Sequence, residues 1–242
     1  MLRRFKVLGL LLVSILMGAT AVSTNANAIV GGSSAGHLRG QVQFWVSGKL
    51  QCGGTLIGSN WVLTAKHCVT DNGATVNNIK IYAGSRLLSL GHEMSVSGIY
   101  LNANADAALL KLSQDVPNWW NVVVGYGSAS PMSHANVAIS GWGNTSSGPE
   151  GGRPAIDLQI ASMTVARESF NVPAVGNGNI AVVYTDHGAG HTEFGDSGAG
   201  IWYGNEIVGI HLIRDGNNND GYGVLTEYLA TWIQNTSGIA SS

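Results

Sequence analysis

The chain has 242 residues, of which 45% are hydrophobic and 11% are charged, and its formal net charge is −2. This composition supplies enough apolar material for a folded core and excludes the highly charged, weakly hydrophobic class of disordered proteins. A mildly acidic balance also argues against binding to nucleic acids or anionic membranes through net charge.

The first 28 residues have the pattern of an export signal. Three basic residues lie within the first six positions, a nearly uninterrupted apolar run covers 7–18, and Ala26 and Ala28 supply the small side chains that signal peptidase requires. A membrane anchor is the alternative, but the run is short for a bilayer. We therefore predict a signal peptide over 1–28 and a secreted protein, extracellular or periplasmic. Removal of this signal peptide takes away three basic residues and no acidic one, so that the net charge of the remaining chain is −5.

Short apolar stretches separated by turn residues follow along the chain. Most have the length of a strand and are rich in Val, Ile, Tyr or Trp, and the 34 glycines suit many tight turns. Helical spacing is clearest from Thr226 to Asn235, and 117–135 reads as a crossover between two halves. The pattern predicts an all-β chain with one C-terminal helix, arranged in barrels or sandwiches. The stretches are 41–46, 53–64, 79–83, 94–101, 107–112, 136–141, 157–165, 179–184, 199–203, 206–213 and 222–225.

The chain has two cysteines, Cys52 and Cys68. In an exported protein, a single pair is most simply one disulfide. His67 adjoins Cys68, so metal ligation is conceivable, but no third and fourth ligand stands at a suitable spacing. We therefore expect neither a metal nor a cofactor.

Five segments occur in one order: "IVGG" (29–32), "CGGTLIGSNWVLTAKHC" (52–68), "NADAALLKL" (104–112), "SGWGNT" (140–145) and "FGDSGAGIW" (194–202). Together they resemble the chymotrypsin-like (trypsin-fold) serine proteases, in a bacterial-type secreted form. The resemblance implies two six-stranded antiparallel β-barrels with a short C-terminal helix. The implied bounds are an N-terminal barrel at about 29–120, a crossover and C-terminal barrel at about 121–225, and the helix at about 226–235.

The resemblance assigns a catalytic role to one residue in each of three segments. Ser197 is the expected nucleophile, His67 the general base, and Asp106 the carboxylate that holds the imidazole tautomer. Taken singly, a turn serine, a structural histidine and a strand-capping aspartate are the ordinary interpretations. The backbone amides of Gly195 and Ser197 are expected to form the oxyanion hole, which needs the tight turn that glycine allows.

Asp196, beside the expected nucleophile, has its own role in the resemblance. There the aspartate pairs with a new N-terminal amine, which in this sequence is that of Ile29. An apolar Ile29 suits a buried terminus, and the two glycines at 31–32 let the chain bend inward; the alternative is an ordinary first strand. Because Ala28 directly precedes Ile29, we expect signal cleavage itself to free the amine. The same resemblance pairs Cys52 with Cys68 in a disulfide.

Four residues, His191, Thr192, His211 and Arg214, are expected to form the substrate pocket. His191 occupies the base, where an acidic residue would select Lys or Arg. Thr192 and His211 resemble pocket residues of bacterial glutamyl endopeptidases, and Arg214 adds positive charge. We therefore expect a preference for Glu or Asp before the scissile bond. Against it stand Glu193 and the alternative that His211 is a satisfied core histidine.

Two departures from the family pattern lie close to the expected triad. Leu212 replaces a hydroxyl that commonly supports the catalytic aspartate, and Lys66 stands beside His67 where a small residue is usual. We expect the Lys66 side chain to be solvated rather than catalytic. The segment 215–221 (DGNNNDG) begins like a calcium loop but lacks its glycine, and a surface turn is the better interpretation.

These features predict a secreted serine endopeptidase that hydrolyses peptide bonds through an acyl-enzyme. We expect protein or peptide substrates, no nucleic acid, no stable membrane association after signal cleavage, and a monomer. One alternative is a catalytically silent binding or adhesive protein with the protease fold, although no triad member is missing. Another is a processing protease or toxin of narrow specificity, which suits the altered strand at 212–214.

Overall fold

Antiparallel strands dominate the computed structural model, which describes residues 29–36, 40–117, 125–127, 131, 133–146, 152–170, 180–185, 190–215 and 220–242. The expected signal peptide, much of the expected crossover and residues 216–219 lie outside the described residues. The strands are β1 (Ser33–Ser34), β2 (Gln41–Val46), β3 (Lys49–Gly58), β4 (Trp61–Thr64), β5 (Thr70–Asp71), β6 (Ala74–Thr75), β7 (Ile79–Ala83), β8 (His92–Leu101), β9 (Ala108–Leu112), β10 (Asn136–Gly141), β11 (Gln159–Phe170), β12 (Ile180–Thr185), β13 (Gly200–Tyr203), β14 (Glu206–Arg214) and β15 (Asp220–Leu225). The helices are α1 (Lys66–Val69) and α2 (Thr226–Ser237).

The first barrel closes in the order β2-β3-β4-β9-β8-β7. Burial alternates along β7, as the two-residue period of a strand requires when one face is turned to a core. Ile81 of β7 pairs with Phe44 of β2, and both side chains are fully buried. Burying such a side chain stabilises the fold by roughly 1.5–3 kcal/mol. The alternating apolar residues therefore account for this barrel's interior.

The second barrel closes in the order β11-β10-β13-β14-β15-β12, because β11 pairs with β12 as well as with β10. The pairings within this ring are antiparallel. Strand β1 is added to β11 outside the ring. The expectation of two six-stranded antiparallel barrels is therefore confirmed.

The segment 29–36 packs on the second barrel, although it leads along the chain into the first. Ser33 of β1 pairs with Ile160 of β11, and Val30 forms an isolated bridge with His191. The amide of His191 donates to the carbonyl of Val30 at 2.9 Å. This segment is therefore hydrogen-bonded to the stretch that precedes Ser197.

Two glycines turn the chain next to Ile29. Gly31 has a φ of +79°, in the region that favours glycine, and the amide of Gly32 donates to the carbonyl of Ile29 at 2.7 Å. A Cβ on Gly32 would lie 2.9 Å from that same carbonyl oxygen. The Ile29 side chain is fully buried within the core of the second barrel. The inward bend expected from the sequence is present.

Helix α2 follows β15 directly and contacts β14 and β15. It buries Leu229 and Ile233, which stand one turn apart on the same face. Gly238 ends the helix in the left-handed conformation, and its amide donates to the carbonyl of Gln234 at 2.8 Å. Within the described residues, neither helix is long and apolar enough to cross a membrane.

Candidate active site

The expected general base lies in a single helical turn that follows β4. Ala65 is extended and caps α1, and His67 is the second residue of this turn. The side chain of His67 is 45% exposed, whereas the next two residues, Cys68 and Val69, are buried. The turn is therefore anchored in the core by its second half and presents the imidazole to solvent.

A disulfide joins Cys68 to Cys52 of β3, as the resemblance implied. Gly53, the neighbour of Cys52, donates from its amide to the carbonyl of Ser197 at 2.8 Å. The disulfide therefore links the turn carrying His67 to the strand that holds the expected nucleophile. The imidazole and the two sulfur atoms lie within 4.8 Å of one another, but the disulfide removes the thiolates that a zinc ion would require.

Asp106 holds His67 through two contacts. Its Oδ2 lies 2.7 Å from Nδ1, and its Oδ1 accepts the main-chain amide of His67 at 2.9 Å. Burial raises the pKa of Asp106, but the hydrogen bonds and charge of His67, with the charge of Lys66, outweigh burial and hold that pKa below its ordinary value. The ionised carboxylate fixes the imidazole proton on Nδ1, which leaves Nε2 free to accept another.

Asp106 belongs to a short loop before β9 that is organised by Asn102. The side-chain oxygen of Asn102 accepts the amides of Asn104 and Ala105, both at 2.9 Å. Its main-chain carbonyl accepts a hydrogen bond of 2.9 Å from Nζ of Lys66. The expectation of a solvated Lys66 was therefore wrong, because its half-buried side chain reaches across to this loop.

Two glycines shape the loop around Ser197. Gly195 has a φ of +99° and Gly198 a φ of +82°, a backbone conformation that side chains with a Cβ rarely adopt. A Cβ on Gly198 would collide with the hydroxyl of Thr64, and one on Gly195 would lie 3.1 Å from Cα of Gly143. These glycines let the loop fit between the two barrels.

The Ser197 hydroxyl donates to the main-chain carbonyl of Leu212 at 2.9 Å, so its proton is directed at β14 rather than at His67. The base is nevertheless close to this loop, because the His67 imidazole lies within 4.8 Å of Sγ of Cys52, and the amide of the next residue, Gly53, donates to the Ser197 carbonyl at 2.8 Å. The carbonyl of His211 in turn accepts the amide of Gly198 at 2.8 Å. The structure thus brings all three expected catalytic residues to one region between the barrels.

Asp196 turns away from solvent and is fully buried. Its Oδ1 accepts the amide of Gly143 at 2.8 Å, and its Oδ2 accepts the amide of Glu193 at 2.9 Å. A Cβ on Gly141 or Gly143 would collide with the carboxyl group, so the glycines of the "SGWGNT" segment make room for it. Burial raises the pKa of Asp196 to about 7, against the opposing effect of the two amides.

The expected pocket contains an ion pair between Arg214 and Glu193. The sequence did not predict which charged residues pair here. Nη1 of Arg214 lies 2.9 Å from Oε1 of Glu193, and Nε2 of His191 lies 3.5 Å from the same oxygen. Less than a quarter of each of these three side chains is exposed. Glu193 therefore points toward two of the expected pocket residues and is neutralised by Arg214. Thr192, between His191 and Glu193, is buried.

His211 is also fully buried, within β14. Burial, with a smaller contribution from the charge of His67, lowers the pKa of His211 to about 3. The imidazole is therefore neutral at ordinary pH. This result favours the interpretation of His211 as a core histidine over that of a charged receptor for a substrate carboxylate.

The sequence matches the family model described as Trypsin over residues 29–233. "Serine protease SP24D" of Anopheles gambiae is 34% identical over 223 residues, which cover 86% of this chain and 80% of that protein. "Trypsin" of Xenopus laevis is 29% identical over 245 residues, which cover 93% of this chain and 97% of that protein. Neither relative supports the expected bacterial-type form or the expected likeness to glutamyl endopeptidases.

Among solved structures, human heparin binding protein is similar with a TM-score of 0.72 at 21% identity, covering 86% of this chain and 96% of that one. A mutant of the same human protein gives a TM-score of 0.73 at 20% identity, covering 88% of this chain and all of that one. At this identity the likeness concerns the fold alone. The family match, the two barrels and the relatives agree: the chain belongs to the trypsin family of serine proteases.

Proposed function

We propose that this protein is a secreted serine endopeptidase whose catalytic residues are Ser197, His67 and Asp106. Membership of the trypsin family supports a protease. The observation that carries the residue assignment is the contact of 2.7 Å between Nδ1 of His67 and Oδ2 of Asp106. A histidine held in this way keeps Nε2 available as a general base.

In the proposed reaction, Oγ of Ser197 attacks the carbonyl carbon of the scissile bond while Nε2 of His67 takes its proton. The amides of Gly195 and Ser197 donate hydrogen bonds to the carbonyl oxygen as it becomes negatively charged. Loss of one such donor costs about 3 kcal/mol of transition-state stabilisation. The carbon–nitrogen bond then breaks, and His67 returns the proton to the leaving amine. Water, deprotonated by His67, hydrolyses the acyl-enzyme in the same manner.

We expect substrate binding to break the hydrogen bond from the Ser197 hydroxyl to the carbonyl of Leu212. We expect the substrate backbone to lie along β14, where one of its amides competes for that carbonyl. The hydroxyl then loses its acceptor and turns to Nε2 of His67. The nucleophile is thus activated when substrate docks, which accounts for the 2.9 Å contact with Leu212 in the free protein.

Activation is proposed to depend on the amine of Ile29. Asp196 is buried, and within the described part of the chain no cationic group is paired with it. Cleavage after Ala28 would free an ammonium group on Ile29, whose side chain already lies in the same barrel. Because a buried carboxylate is stabilised by a paired cation, Asp196 is the proposed partner. The cut that removes the signal peptide during export would then also activate the protein.

Export is supported by residues outside and inside the folded domain. The basic and apolar residues that precede Ala28 have the composition of a signal peptide. The disulfide between Cys52 and Cys68 is of a kind that persists in oxidising compartments. We therefore infer an extracellular or periplasmic location and a protein or peptide substrate.

The preference for Glu or Asp before the scissile bond stays a proposal. Its support is the guanidinium of Arg214, which lies 2.9 Å from Glu193, the residue that follows the buried Thr192 of the expected pocket. Glu193 opposes it, because a substrate carboxylate must compete with Glu193 for this guanidinium. His211 adds no support, because it is fully buried and neutral.

The alternative of a catalytically silent binding protein has a precedent in name, since human heparin binding protein shares the fold. Heparin is a polyanion, and this chain carries a net charge of −2 before removal of its basic N-terminal residues. Charge repulsion therefore disfavours a polyanionic ligand here. The intact contact between His67 and Asp106 further favours the enzyme.

The test compares protein beginning at Ile29 with its Ser197→Ala variant. We expect a fluorophosphonate to label Ser197, and digestion of a denatured proteome to give new N-termini that the variant does not give. If the protein beginning at Ile29 shows no labelling and no cleavage beyond that of the variant, the enzyme proposal fails and the binding protein is favoured instead. Labelling with only a few cut sites would indicate a processing protease of narrow specificity. Better cleavage after Arg, Phe or Ala than after Glu or Asp would refute the acidic preference.

A further inference from the structure

We propose that Lys66 is a positioning residue for the catalytic aspartate, because its ammonium group ties the turn carrying His67 to the loop carrying Asp106. The inference rests on the proposed catalytic triad. Its central observation is the hydrogen bond of 2.9 Å from Nζ of Lys66 to the carbonyl of Asn102. Lys66 does not touch the reacting atoms and acts only through this loop.

The loop is built so that a contact at Asn102 reaches Asp106. Asn102 is 8% exposed, and its side chain accepts the amides of Asn104 and Ala105. Its own amide donates to the carbonyl of Ala107 at 2.9 Å, which closes the loop around Asp106. A displacement of Asn102 therefore moves the residues on both sides of the aspartate.

Lys66 and His67 hold this loop at two different points. The amide and imidazole of His67 contact the Asp106 carboxylate directly, while the preceding lysine holds the carbonyl at the start of the loop. The hydroxyl of Thr70 donates to the Lys66 carbonyl at 3.0 Å, which fixes the turn from which both side chains extend. Two adjacent residues thus define the position and the orientation of the carboxylate.

The charge of Lys66 acts in the same sense as its hydrogen bond. An ammonium donor makes a stronger hydrogen bond to a carbonyl than a neutral donor does. The same charge is one of the contributions that lower the pKa of Asp106, after those of His67. Leu212, which replaces the hydroxyl that commonly supports the aspartate, has no side-chain donor to offer it. A neutral side chain at position 66 therefore loses both effects at once.

The experiment compares Lys66→Met, which removes the ammonium but keeps an unbranched side chain, with Lys66→Arg, which keeps a charged donor. For Lys66→Met we expect kcat to fall about tenfold or more with KM changed by less than about twofold, since misplacing a catalytic group by about 1 Å can cost about a hundredfold. Lys66→Arg should recover most of the loss. The matched control is Lys80→Met, which removes a half-exposed ammonium paired with Glu93 at 2.6 Å on the same barrel.

A second readout is independent of turnover. In the Ser197→Ala background, the proton between Nδ1 of His67 and Asp106 gives a far-downfield ¹H NMR signal, which Lys66→Met should shift or broaden and Lys80→Met should leave in place. This signal distinguishes a failure of the inference from a failure of the proposed function, because it needs no active enzyme. If Lys66→Met does not fold by circular dichroism, Lys66→Gln takes its place in both measurements.

Three outcomes would overturn the inference. They are a wild-type kcat in a folded Lys66→Met protein, a Lys66→Arg protein impaired as much as Lys66→Met, and an unchanged NMR signal. A wild-type protein that neither cleaves nor labels, but whose NMR signal still responds to Lys66→Met, would end the proposed function and leave the positioning role standing.

Discussion

The carboxylate of Asp196 accepts a hydrogen bond of 2.8 Å from the amide of Gly143, 53 residues earlier in the chain. Gly143 follows β10, and Asp196 directly precedes the proposed nucleophile. The contact fixes the nucleophile loop to the end of that strand. Because a Cβ on Gly143 would collide with the carboxyl group, only glycine permits this close approach.

Gly143→Ala should therefore disturb both stability and catalysis. We expect the free energy of unfolding to fall by about 2–3 kcal/mol, as in other overpacked sites. We also expect kcat/KM to fall, because Asp196 must move and carries the amides of Gly195 and Ser197 with it. Denaturant unfolding and peptide hydrolysis measure the two effects. Gly204→Ala is the control, since no atom lies within 4 Å of its Cβ and only its φ of +62° opposes alanine. Equal effects at both glycines would contradict the prediction.

The stability of the chain that still carries residues before Ile29 should fall as pH rises from about 4 to about 7. Folding raises the pKa of Asp196 from 3.8 to about 7, so between these values the folded state holds a proton that the unfolded state has lost. At about 1.4 kcal/mol per pKa unit, the full loss is about 4 kcal/mol. In protein beginning at Ile29, the proposed ammonium partner should lower that pKa and reduce or reverse the slope.

The measurement is the free energy of unfolding between pH 4 and pH 8, for Ser197→Ala proteins with and without residues before Ile29. In the protein that carries residues before Ile29, Asp196→Asn should remove the carboxyl group's contribution to the pH dependence of stability, because the amide does not titrate. If the protein that carries residues before Ile29 is equally stable at pH 5 and pH 8, Asp196 does not control the pH dependence of stability.

Glu193→Gln should shift cleavage toward acidic side chains. The substitution removes the carboxylate that lies 2.9 Å from Arg214 and leaves the guanidinium charge in the pocket. We expect the ratio of kcat/KM for matched peptides with Glu and Ala before the scissile bond to rise by about tenfold, since a hydrogen bond to a charged group contributes about 1.5–3 kcal/mol. Glu227→Gln, in the exposed first turn of α2, is the charge-matched control. An unchanged ratio would place Arg214 outside the pocket that binds this side chain.

Replacing Cys52 and Cys68 together by Ser should cost stability and activity. The two residues are separated by 16 positions, and a loop of about this length corresponds to about 3 kcal/mol in the chain-entropy account. Activity should fall as well, since the bridge connects the turn of His67 to Gly53, which holds the Ser197 carbonyl. Thermal unfolding and kcat test the two effects. A protein that loses stability but retains kcat would limit the bridge to a structural role.

The fold could be predicted because the alternation of apolar residues in strands such as β7 is visible in consecutive letters of the sequence. The contact between His67 and Asp106, which are 39 positions apart, could be predicted because the family resemblance assigns a role to each of the two residues. The contact of Lys66 with Asn102 could not be predicted, because Lys66 departs from the family pattern and its partner is set by the conformation of a loop. A signal existed only in the unusual lysine beside His67.

The pocket shows the same limit. His211 in an apolar strand suits a ligand-binding group and a core histidine equally, and its complete burial distinguishes them. The direction of the Glu193 side chain could not be inferred either, since its partner Arg214 lies 21 residues away at the end of β14. Charge count alone does not say which charges meet.

The pairing of β1 with β11 has a consequence for the order of events during biosynthesis. Ser33 and Ser34 find their partners at Ile160 and Gln159, more than 120 residues later in the chain. The ribosome completes the first barrel before the second. The segment 29–36 can therefore dock only after the second barrel has been synthesised. The activation proposed for Ile29 and Asp196 is therefore possible only after the second barrel has been synthesised.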